Sequence, residues 1–528
     1  MIELEKSGFS DTGIRLLRKG QKGLKYAIFS RLGLTLLLLL LEIAVLFAGF
    51  HWFEGFLPRV YGAGTLFSVV MVVYLLNCSI DPSAKITWLV LILVFPIFGS
   101  LLFLYTKSDI GHRELKRRFH AIVTGSKQKL TQSAVVWNAL QEEHPGAAAL
   151  ARYLQRSGNF PVYDRTAVTY FSSGEEKFEQ LLTELRQAKE FIFLEYFIID
   201  EGVMWGKVLE ILIEKVKEGV EVRVLYDGTC EITTLPYDYP KRLKKLGITC
   251  KMFAPITPFV STHYNYRDHR KIVVIDGHTA FTGGINLADE YINRVERFGH
   301  WKDTAIMLKG EGVKSFTLMF LQMWSVNDKT VDFDRYLAAE TFPREEEGFV
   351  LPYGDCPLDR DKVGERVYMD LLNRAQHYVH IMTPYLILDG EMETALKFAA
   401  ERGVEVILIL PGIPDKKIPY ALAKTHYSSL LESGVKIYEY TPGFVHAKVF
   451  VCDDKEAVVG TINLDYRSLY HHFECAAYLY DVPCIPQIEA DFITTLDQCR
   501  PVVRETIRKE KLHTRLIGYL VKIFAPLL

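Results

Sequence analysis

Hydrophobic residues are concentrated near the N-terminus of this chain. Three stretches approach or exceed the roughly 20 apolar residues that cross a bilayer core. They run over residues 32–53, 61–80 and 86–105. A cleaved signal peptide would have a shorter apolar region, and two further apolar stretches would not follow it. The pattern therefore predicts an N-terminal membrane region over residues 1–106.

Basic residues flank both ends of this region, so its orientation stays open. Arg15 and Lys25 precede the apolar stretches, and Lys107 and Arg117 follow them. Three spans would place one basic flank outside, against the positive-inside bias, unless the first segment does not cross. That segment also carries Glu42, a costly group in hydrocarbon unless it is protonated or paired. We expect a multi-pass protein of the cytoplasmic membrane whose catalytic part faces the cytoplasm.

The pattern changes after this region. Residues 107–143 are polar and basic, as in a helical juxtamembrane linker. Strand and helix signals then alternate, and the same order returns in the second half of the chain. The predicted elements are a strand at Glu190–Ile199, a helix at Val203–Lys217 and a strand at Val220–Asp227, then a strand at Tyr378–Leu388, a helix at Glu391–Ala400 and a strand at Val404–Pro411. This alternation predicts an α/β fold with mixed, largely parallel sheets flanked by helices.

The recurrence indicates a duplicated domain. The turn before the third element is "KEGVEV" in one half and "ERGVEV" in the other. A repeat of about 180 residues is far too long for a solenoid unit. We therefore expect one domain over 144–343 and a second over 344–528, which ends in an amphipathic tail, with the junction in the acidic run at 343–348.

Two short segments repeat one pattern of polar residues. "DHRKIVVIDGHTAFTGGIN" (268–286) returns as "FVHAKVFVCDDKEAVVGTIN" (444–463). In each copy His-x-Lys precedes an apolar run, which predicts a buried strand with both polar side chains on one side. A single copy would fit exposed residues of an edge strand equally well, but two copies favour a shared function. The shared residues are His269, Lys271, Asp276, Gly283 and Asn286, and His446, Lys448, Asp453, Gly460 and Asn463.

A pocket with two imidazoles and two ammonium groups suits a phosphodiester. Lysine and asparagine donors, here Lys271, Asn286, Lys448 and Asn463, stabilise the negative charge that grows on the phosphoryl oxygens in the transition state. One neutral histidine attacks phosphorus while the other, protonated, donates to the departing alkoxide. The two histidines therefore need opposite protonation states.

Two carboxylates are candidates for orienting the histidines. Asp303 in "HWKDT" follows the first motif and Glu474 in "HHFECA" follows the second. We expect each to bind the far nitrogen of the histidine in its own half, which fixes the tautomer; an exposed surface acid is the alternative for both. The motif aspartates, Asp276 and Asp453, are expected to fix their loops rather than to touch substrate. A metal site is disfavoured, because a lysine two residues from each histidine repels a divalent ion.

Composition narrows the function further. The chain has 528 residues and a formal net charge of −2, so it lacks the strongly basic balance of a nucleic-acid binder. Its eight cysteines are scattered without a Cys-x-x-Cys pair, which is typical of ordinary buried thiols in a reducing compartment.

The duplicated motifs resemble the HKD motifs of the phospholipase D superfamily, and the whole chain resembles the bacterial cardiolipin synthases within it. The segments that carry this resemblance include "NYRDHRKIVVIDG", "GGINLADEY", "TPYLI", "GFVHAKVFV" and "GTINLDYRS". The resemblance implies two tandem phospholipase D-like domains that share one site, formed by the HKD residues of both motifs. It also implies transfer of a phosphatidyl group from one phosphatidylglycerol to another, giving cardiolipin and glycerol, through a phosphatidyl-histidine and without nucleotide, metal or other cofactor.

Several points remain open at this level. We take His269 as the nucleophile and His446 as the acid and then the base, but the near symmetry also permits the reverse. Phosphatidylethanolamine could replace one phosphatidylglycerol as donor, and a homo-oligomer is possible. The rival functions are a phosphatidylserine synthase or a lipid hydrolase, then a nuclease, which should have no lipid anchor, and finally a membrane scaffold, which should carry degenerate motifs.

Overall fold

The computed structural model describes residues 14–16, 48, 61–108, 113–255, 266–326, 328, 332–338 and 347–527. The first candidate span, 32–53, lies outside the described residues except for residue 48, and so does most of the predicted junction at 343–348. The domain boundaries therefore stay predictions.

Within residues 61–108, the apolar sequence forms three short helices. They are Tyr61–Leu76 (α1), Pro82–Val94 (α2) and Pro96–Ser108 (α3). The stretch predicted as one span at 86–105 is divided, because Pro96 has no N–H to continue the helix. The three helices pack around Leu75, Trp88 and Phe103. Within the part of the chain that is described, none of the helices has both the length and the hydropathy needed to cross a bilayer.

Helices and strands alternate through the rest of the chain. The remaining helices are Arg113–Ser126 (α4), Ala134–Glu143 (α5), Pro145–Gly158 (α6), Gly174–Gln187 (α7), Val203–Lys217 (α8), Cys230–Thr233 (α9), Tyr239–Lys244 (α10), Val313–Ser325 (α11), Phe333–Leu337 (α12), Val363–Arg374 (α13), Gly390–Glu401 (α14), Lys417–Glu432 (α15), Ile485–Leu496 (α16), Arg504–Arg508 (α17) and Leu512–Lys522 (α18). Short 3-10 turns lie at Asp289–Ile292 and Ala525–Leu527, and a π turn lies at Arg467–His471.

The strands of the first half are Thr166–Phe171 (β1), Phe191–Tyr196 (β2), Glu221–Asp227 (β3), Thr249–Phe253 (β4), Arg267–Asp268 (β5), Lys271–Ile275 (β6), Thr279–Gly283 (β7), His300–Lys302 (β8) and Ala305–Gly310 (β9). Those of the second half are Phe349–Asp355 (β10), Tyr378–Met382 (β11), Glu405–Pro411 (β12), Lys436–Tyr440 (β13), Gly443–Val445 (β14), Val449–Cys452 (β15), Glu456–Gly460 (β16), His472–Tyr480 (β17) and Cys499–Pro501 (β18).

Each half has one main sheet, and the two sheets share a plan. The first runs β1-β9-β7-β6-β2-β3-β4 and the second runs β10-β17-β16-β15-β11-β12-β13-β18. The predicted mixed α/β architecture is confirmed, but the parallel majority is wrong. Parallel pairs within the main sheets are β2–β3–β4 and β11–β12–β13, while the motif strands turn back as antiparallel hairpins. An Asp-Gly dipeptide, such as Asp276-Gly277, favours such a turn.

Local sequence explains why the predicted helix at Val203–Lys217 forms with those bounds. Its apolar residues recur at helical spacing and are buried on one side, including Trp205, Leu209 and Leu212. Its first turn is capped from elsewhere in the chain, because the Asp289 carboxylate accepts hydrogen bonds from the N–H groups of Val203 and Met204 at 2.9 and 2.8 Å.

The two sheets pack against each other through a common apolar core. Phe193 and Val274 of the first sheet belong to the same buried cluster as Val449 and Val459 of the second. Helices cover the outer face of each sheet over separate clusters. The motif strands of both halves therefore lie in the central layer of the molecule.

Candidate active site

The two motif copies have the same backbone construction. Strands β6 and β15 are fully buried, as predicted, and each is followed by an aspartate with φ of 50°. Asp276 accepts hydrogen bonds from the N–H groups of residues 189–191 at 2.7–2.8 Å. Asp453 does the same for residues 376–378 at 2.7–2.9 Å. Both aspartates tie the hairpin turn to the start of the neighbouring strand, at the opposite end of the motif strand from the histidine.

Short strands cross between the halves beside each histidine. In β5–β17, Asp268 pairs with Phe473, and in β14–β8, Val445 pairs with Lys302. The residues that follow these two pairs are His269 opposite Glu474 and His446 opposite Asp303. The backbone N–H of His269 donates to Phe473 O at 3.0 Å, and that of His446 donates to Lys302 O at 2.7 Å.

Each histidine is consequently oriented by the other half. His269 Nδ1 lies 2.9 Å from Glu474 Oε1, and His446 Nδ1 lies 2.7 Å from Asp303 Oδ2. The two predicted carboxylates do contact the histidines, but the expected pairing within each half is wrong. An ionised carboxylate only accepts hydrogen bonds, so the carboxylate contact assigns a proton to Nδ1 of each ring and leaves a lone pair on Nε2. His446 Nδ1 has a second neighbour, Lys448 Nζ, at 2.8 Å.

Burial holds both imidazoles neutral. It lowers the pKa of His269 well below its usual value. Burial, together with the charge of Lys448, lowers the pKa of His446 to about 4. Burial alone would raise the pKa of Glu474 and Asp303, but contact with their histidines outweighs it and holds both pKa values below normal. The arrangement is two neutral rings, each hydrogen-bonded to a charged carboxylate.

The motif lysines are buried beside the histidines. Lys271 Nζ donates to the carbonyl oxygen of His269 at 2.6 Å, and Lys448 Nζ makes the equivalent bond to the carbonyl oxygen of His446. Burial lowers the pKa of Lys271 to about 8 and that of Lys448 to about 7. The charge of Lys271 also contributes to the lowered pKa of both His446 and Lys448, so motif residues of the two halves interact electrostatically.

The motif asparagines differ between the halves. Asn286 accepts from the N–H of Ile198 at 3.0 Å and donates to Tyr291 Oη at 2.7 Å, so both ends of its amide are engaged. Asn463 is also buried, and its Oδ1 has no partner among the described residues. Only Asn463 therefore has an unused polar atom for a ligand, whereas Asn286 supports its surroundings.

Aromatic residues that the sequence reasoning missed line the two histidines. Trp301 lies 5.4 Å from His446 and His472 lies 5.3 Å from His269, measured between ring centroids. Both residues stand two positions before the orienting carboxylate of their half, and that shared offset was the available signal. His472 is 7% exposed, and neither of its ring nitrogens has a hydrogen-bond partner in the described structure. It also lines a cavity of about 130 Å³ with Tyr470 and Arg360.

One group at this site could also hold a metal ion. His269, His472 and Glu474 offer ligand atoms within 4.8 Å of one another. The charge of Lys271 acts on His269 and Glu474 already accepts a hydrogen bond from His269, so a divalent ion would have to displace that bond next to an ammonium group.

Two protein-family models match parts of this chain. A family model described as "Cardiolipin synthase, PLD-like domain" matches residues 181–324 and 368–496, and a model described as "Phospholipase_D-nuclease N-terminal" matches 66–106. The first model matches more than half of the chain, in two segments that each contain one motif copy.

Similar proteins match over most of the chain. An uncharacterized protein of Streptococcus mutans is 61% identical over 87% of this chain and 99% of its own length. A cardiolipin synthase of Geobacillus sp. is 34% identical over 87% of this chain and 92% of its own length. Among solved structures, the phosphatidylserine synthase of Haemophilus influenzae has a TM-score of 0.55 at 18% identity and covers 72% of this chain and 98% of its own. That structural likeness shows a common fold.

Proposed function

The chain belongs to the family of cardiolipin synthases with phospholipase D-like domains, and from this membership and the site geometry we propose that it is a phosphatidyltransferase that makes cardiolipin. Its substrates would be two molecules of phosphatidylglycerol, and its products cardiolipin and glycerol. One observation carries the proposal: each motif histidine is hydrogen-bonded to a carboxylate of the other half, and a motif lysine is buried beside each histidine.

The reaction has two balanced steps. Binding of the anionic phosphodiester would raise the pKa of His446, so that its Nε2 takes up a proton from solvent. In the first step, His269 Nε2 attacks phosphorus and the bond to the headgroup glycerol breaks, while His446 gives that proton to the glycerol oxygen. In the second, His446 takes the proton from the terminal hydroxyl of a second phosphatidylglycerol. That oxygen then attacks phosphorus and releases His269.

The assignment of His269 as nucleophile fits its surroundings. Its pKa is lowered well below normal by burial, and the charges of Lys271 and His472 also lower it. A neutral ring with a free Nε2 lone pair is what a nucleophile requires. The phosphoryl charge would be stabilised by Lys271 and Lys448, since a bound anion favours the protonated form of both lysines. Asn463 would add a donor if its terminal amide is turned so that the nitrogen, and not the unpartnered acceptor Oδ1, faces the phosphoryl group.

Membrane attachment fits phospholipid substrates, and we assign it to the N-terminal region. The apolar stretches 32–53, 61–80 and 86–105, the last of them divided at Pro96, belong to this proposal. A multi-pass topology and a cytoplasmic location of the catalytic part belong to it too. Binding of phosphatidylglycerol and cardiolipin belongs to it as well, as does a homo-oligomer.

The direct test is product analysis with a single lipid. Purified protein is incubated with phosphatidylglycerol in detergent plus a chelator, and lipids and glycerol are measured by mass spectrometry. Cardiolipin and glycerol should appear in equal amounts without added alcohol. Phosphatidic acid as the sole lipid product would identify a hydrolase and overturn the proposal. Addition of phosphatidylethanolamine with a distinct acyl composition shows whether it can act as donor.

A further inference from the structure

The C-terminal helix α18 (Leu512–Lys522) is fixed to the catalytic part along one side. Its Gly518 lies against α15, where an added Cβ would stand 2.5 Å from the carbonyl oxygen of Ala421. Thr514 and Val521 flank this contact on the same side of the helix, and both are partly buried. Such a close backbone approach sets which side of α18 faces outward.

The outward side of α18 is apolar. Leu512 is 69% exposed, Leu516 53% and Leu520 63%. Tyr519 and Ile523 share this side and are also exposed. A surface helix of a soluble domain normally presents polar residues there. Contiguous apolar surface of this kind marks an interaction site.

Basic residues border the apolar side along one edge of the helix. At 100° per residue, Lys511, Arg515 and Lys522 fall together, between the side that packs on α15 and the apolar side. All three are exposed. An apolar face edged by cations is the pattern of helices that lie in the plane of an anionic membrane surface, with the cations at the headgroups.

The apolar surface continues onto the N-terminal helices. Thr87 Oγ1 of α2 donates to the carbonyl oxygen of Ile523 at 2.5 Å, so the end of α18 touches that helix. Helix α2 itself exposes Ile86, Leu93 and Val94 by 61–67%. Both α18 and the helix that it touches thus expose apolar residues.

We propose that the outward side of α18 lies on an anionic phospholipid bilayer and forms a second membrane contact, which adjoins that of the N-terminal region. The occupant is the bilayer surface, because a basic edge complements anionic headgroups whereas a second copy of this chain would present the same cations. This contact is independent of the active-site chemistry. It would hold the catalytic halves against the surface in which the lipid substrates reside.

The test places a reporter on the helix in the full chain. Leu516→Trp and the matched control Val135→Trp, an exposed position on α5 (78%), are reconstituted into vesicles with lipids brominated on the acyl chains. The added fluorescence of Leu516→Trp, relative to the parent protein, should be quenched in phosphatidylglycerol-containing vesicles. Quenching should weaken in phosphatidylcholine vesicles or high salt, and the signal of Val135→Trp should not change.

Equal quenching of the two reporters would overturn the proposal. So would a Leu516→Trp signal shielded from both brominated lipid and aqueous acrylamide, since residues 32–53 or a second copy would then cover the helix.

A second variant gives an independent measure. Leu516→Asp with Leu520→Asp should lower the rate on phosphatidylglycerol vesicles by about 5-fold or more and leave the rate on detergent-solubilised lipid unchanged. A parallel loss in detergent would also count against the proposal.

Discussion

The two halves of the molecule share their reacting residues but differ in what surrounds them. His269 has His472 as its ring neighbour, whereas His446 has Trp301 at the equivalent place. An indole carries no charge and an imidazole can, so the first histidine has an ionisable neighbour that the second lacks. Duplication gives both halves the same reacting side chains. The residues two positions before each carboxylate differ between the halves, and this difference allows the two histidines to take different roles.

The largest effect should come from substituting the two motif histidines one at a time. His446→Gln and His269→Gln should each lower turnover by at least about 10³-fold, because each removes either the proton donor or the nucleophile. The two variants should differ in one respect. With phosphatidylglycerol, His446→Gln should accumulate a phosphatidyl adduct on His269, detected by intact-protein mass spectrometry, and His269→Gln should form none. An adduct in His269→Gln alone would reverse the roles.

The crossed carboxylates should give the next largest effect. Glu474→Gln and Asp303→Asn remove the charges that hold the two Nδ1 protons, and each should lower kcat by about 10²- to 10⁴-fold. The crossing itself is tested in the His446→Gln background, by the rate of adduct formation in a single turnover. There Glu474→Gln should slow formation, and Asp303→Asn should add almost nothing because its histidine is already absent. The opposite pattern would show that each carboxylate orients the histidine of its own half.

The ring neighbours should have a smaller effect that separates the halves directly. His472→Phe keeps a ring of similar shape but removes the nitrogens beside His269 and Glu474, and it should lower kcat by about 10-fold. Trp301→Phe, the matched change in the other half, should stay within about 2-fold. Both are measured with melting temperatures to show intact folding. Equal losses in the two variants would mean that both positions only fill space.

The motif aspartates should affect activity least and affect both halves alike. Asp276→Asn and Asp453→Asn each place an amide N–H₂ against backbone N–H groups, which should cost about 1–3 kcal/mol in free energy of unfolding. The rate per folded molecule should stay near that of the parent protein. Asp497→Asn on the exposed end of α16 serves as a control without loss of stability. A loss of rate without a loss of stability would place these aspartates in the chemistry.

Much of the fold follows from strong local patterns. The helix at Val203–Lys217 has the predicted bounds because its apolar spacing is regular, and the motif strands were identified because their polar residues recur at fixed offsets. Asp276-Gly277 was a visible signal for the antiparallel hairpin, but the alternation of strands and helices favoured a parallel arrangement, and the prediction followed that alternation. Pro96 was likewise a visible signal that the stretch 86–105, predicted as one span, is divided into two helices.

The crossed orientation of the site could not be predicted in this way. It depends on β5 and β14, strands of two and three residues, which are too short to carry a periodic pattern. Which carboxylate reaches which histidine is decided only when the halves pack and these strands find partners. The sequence supplied the right residues, and the packing of the two sheets assigned the contacts between them.

The crossed strands also bear on how the chain is made. While the first half has left the ribosome and the second has not, His269 has no Glu474 to fix its proton, and Asp303 has no histidine to hold. The first half on its own therefore lacks both the second histidine and the carboxylate that orients the first, so we expect full turnover only after the two halves have packed together.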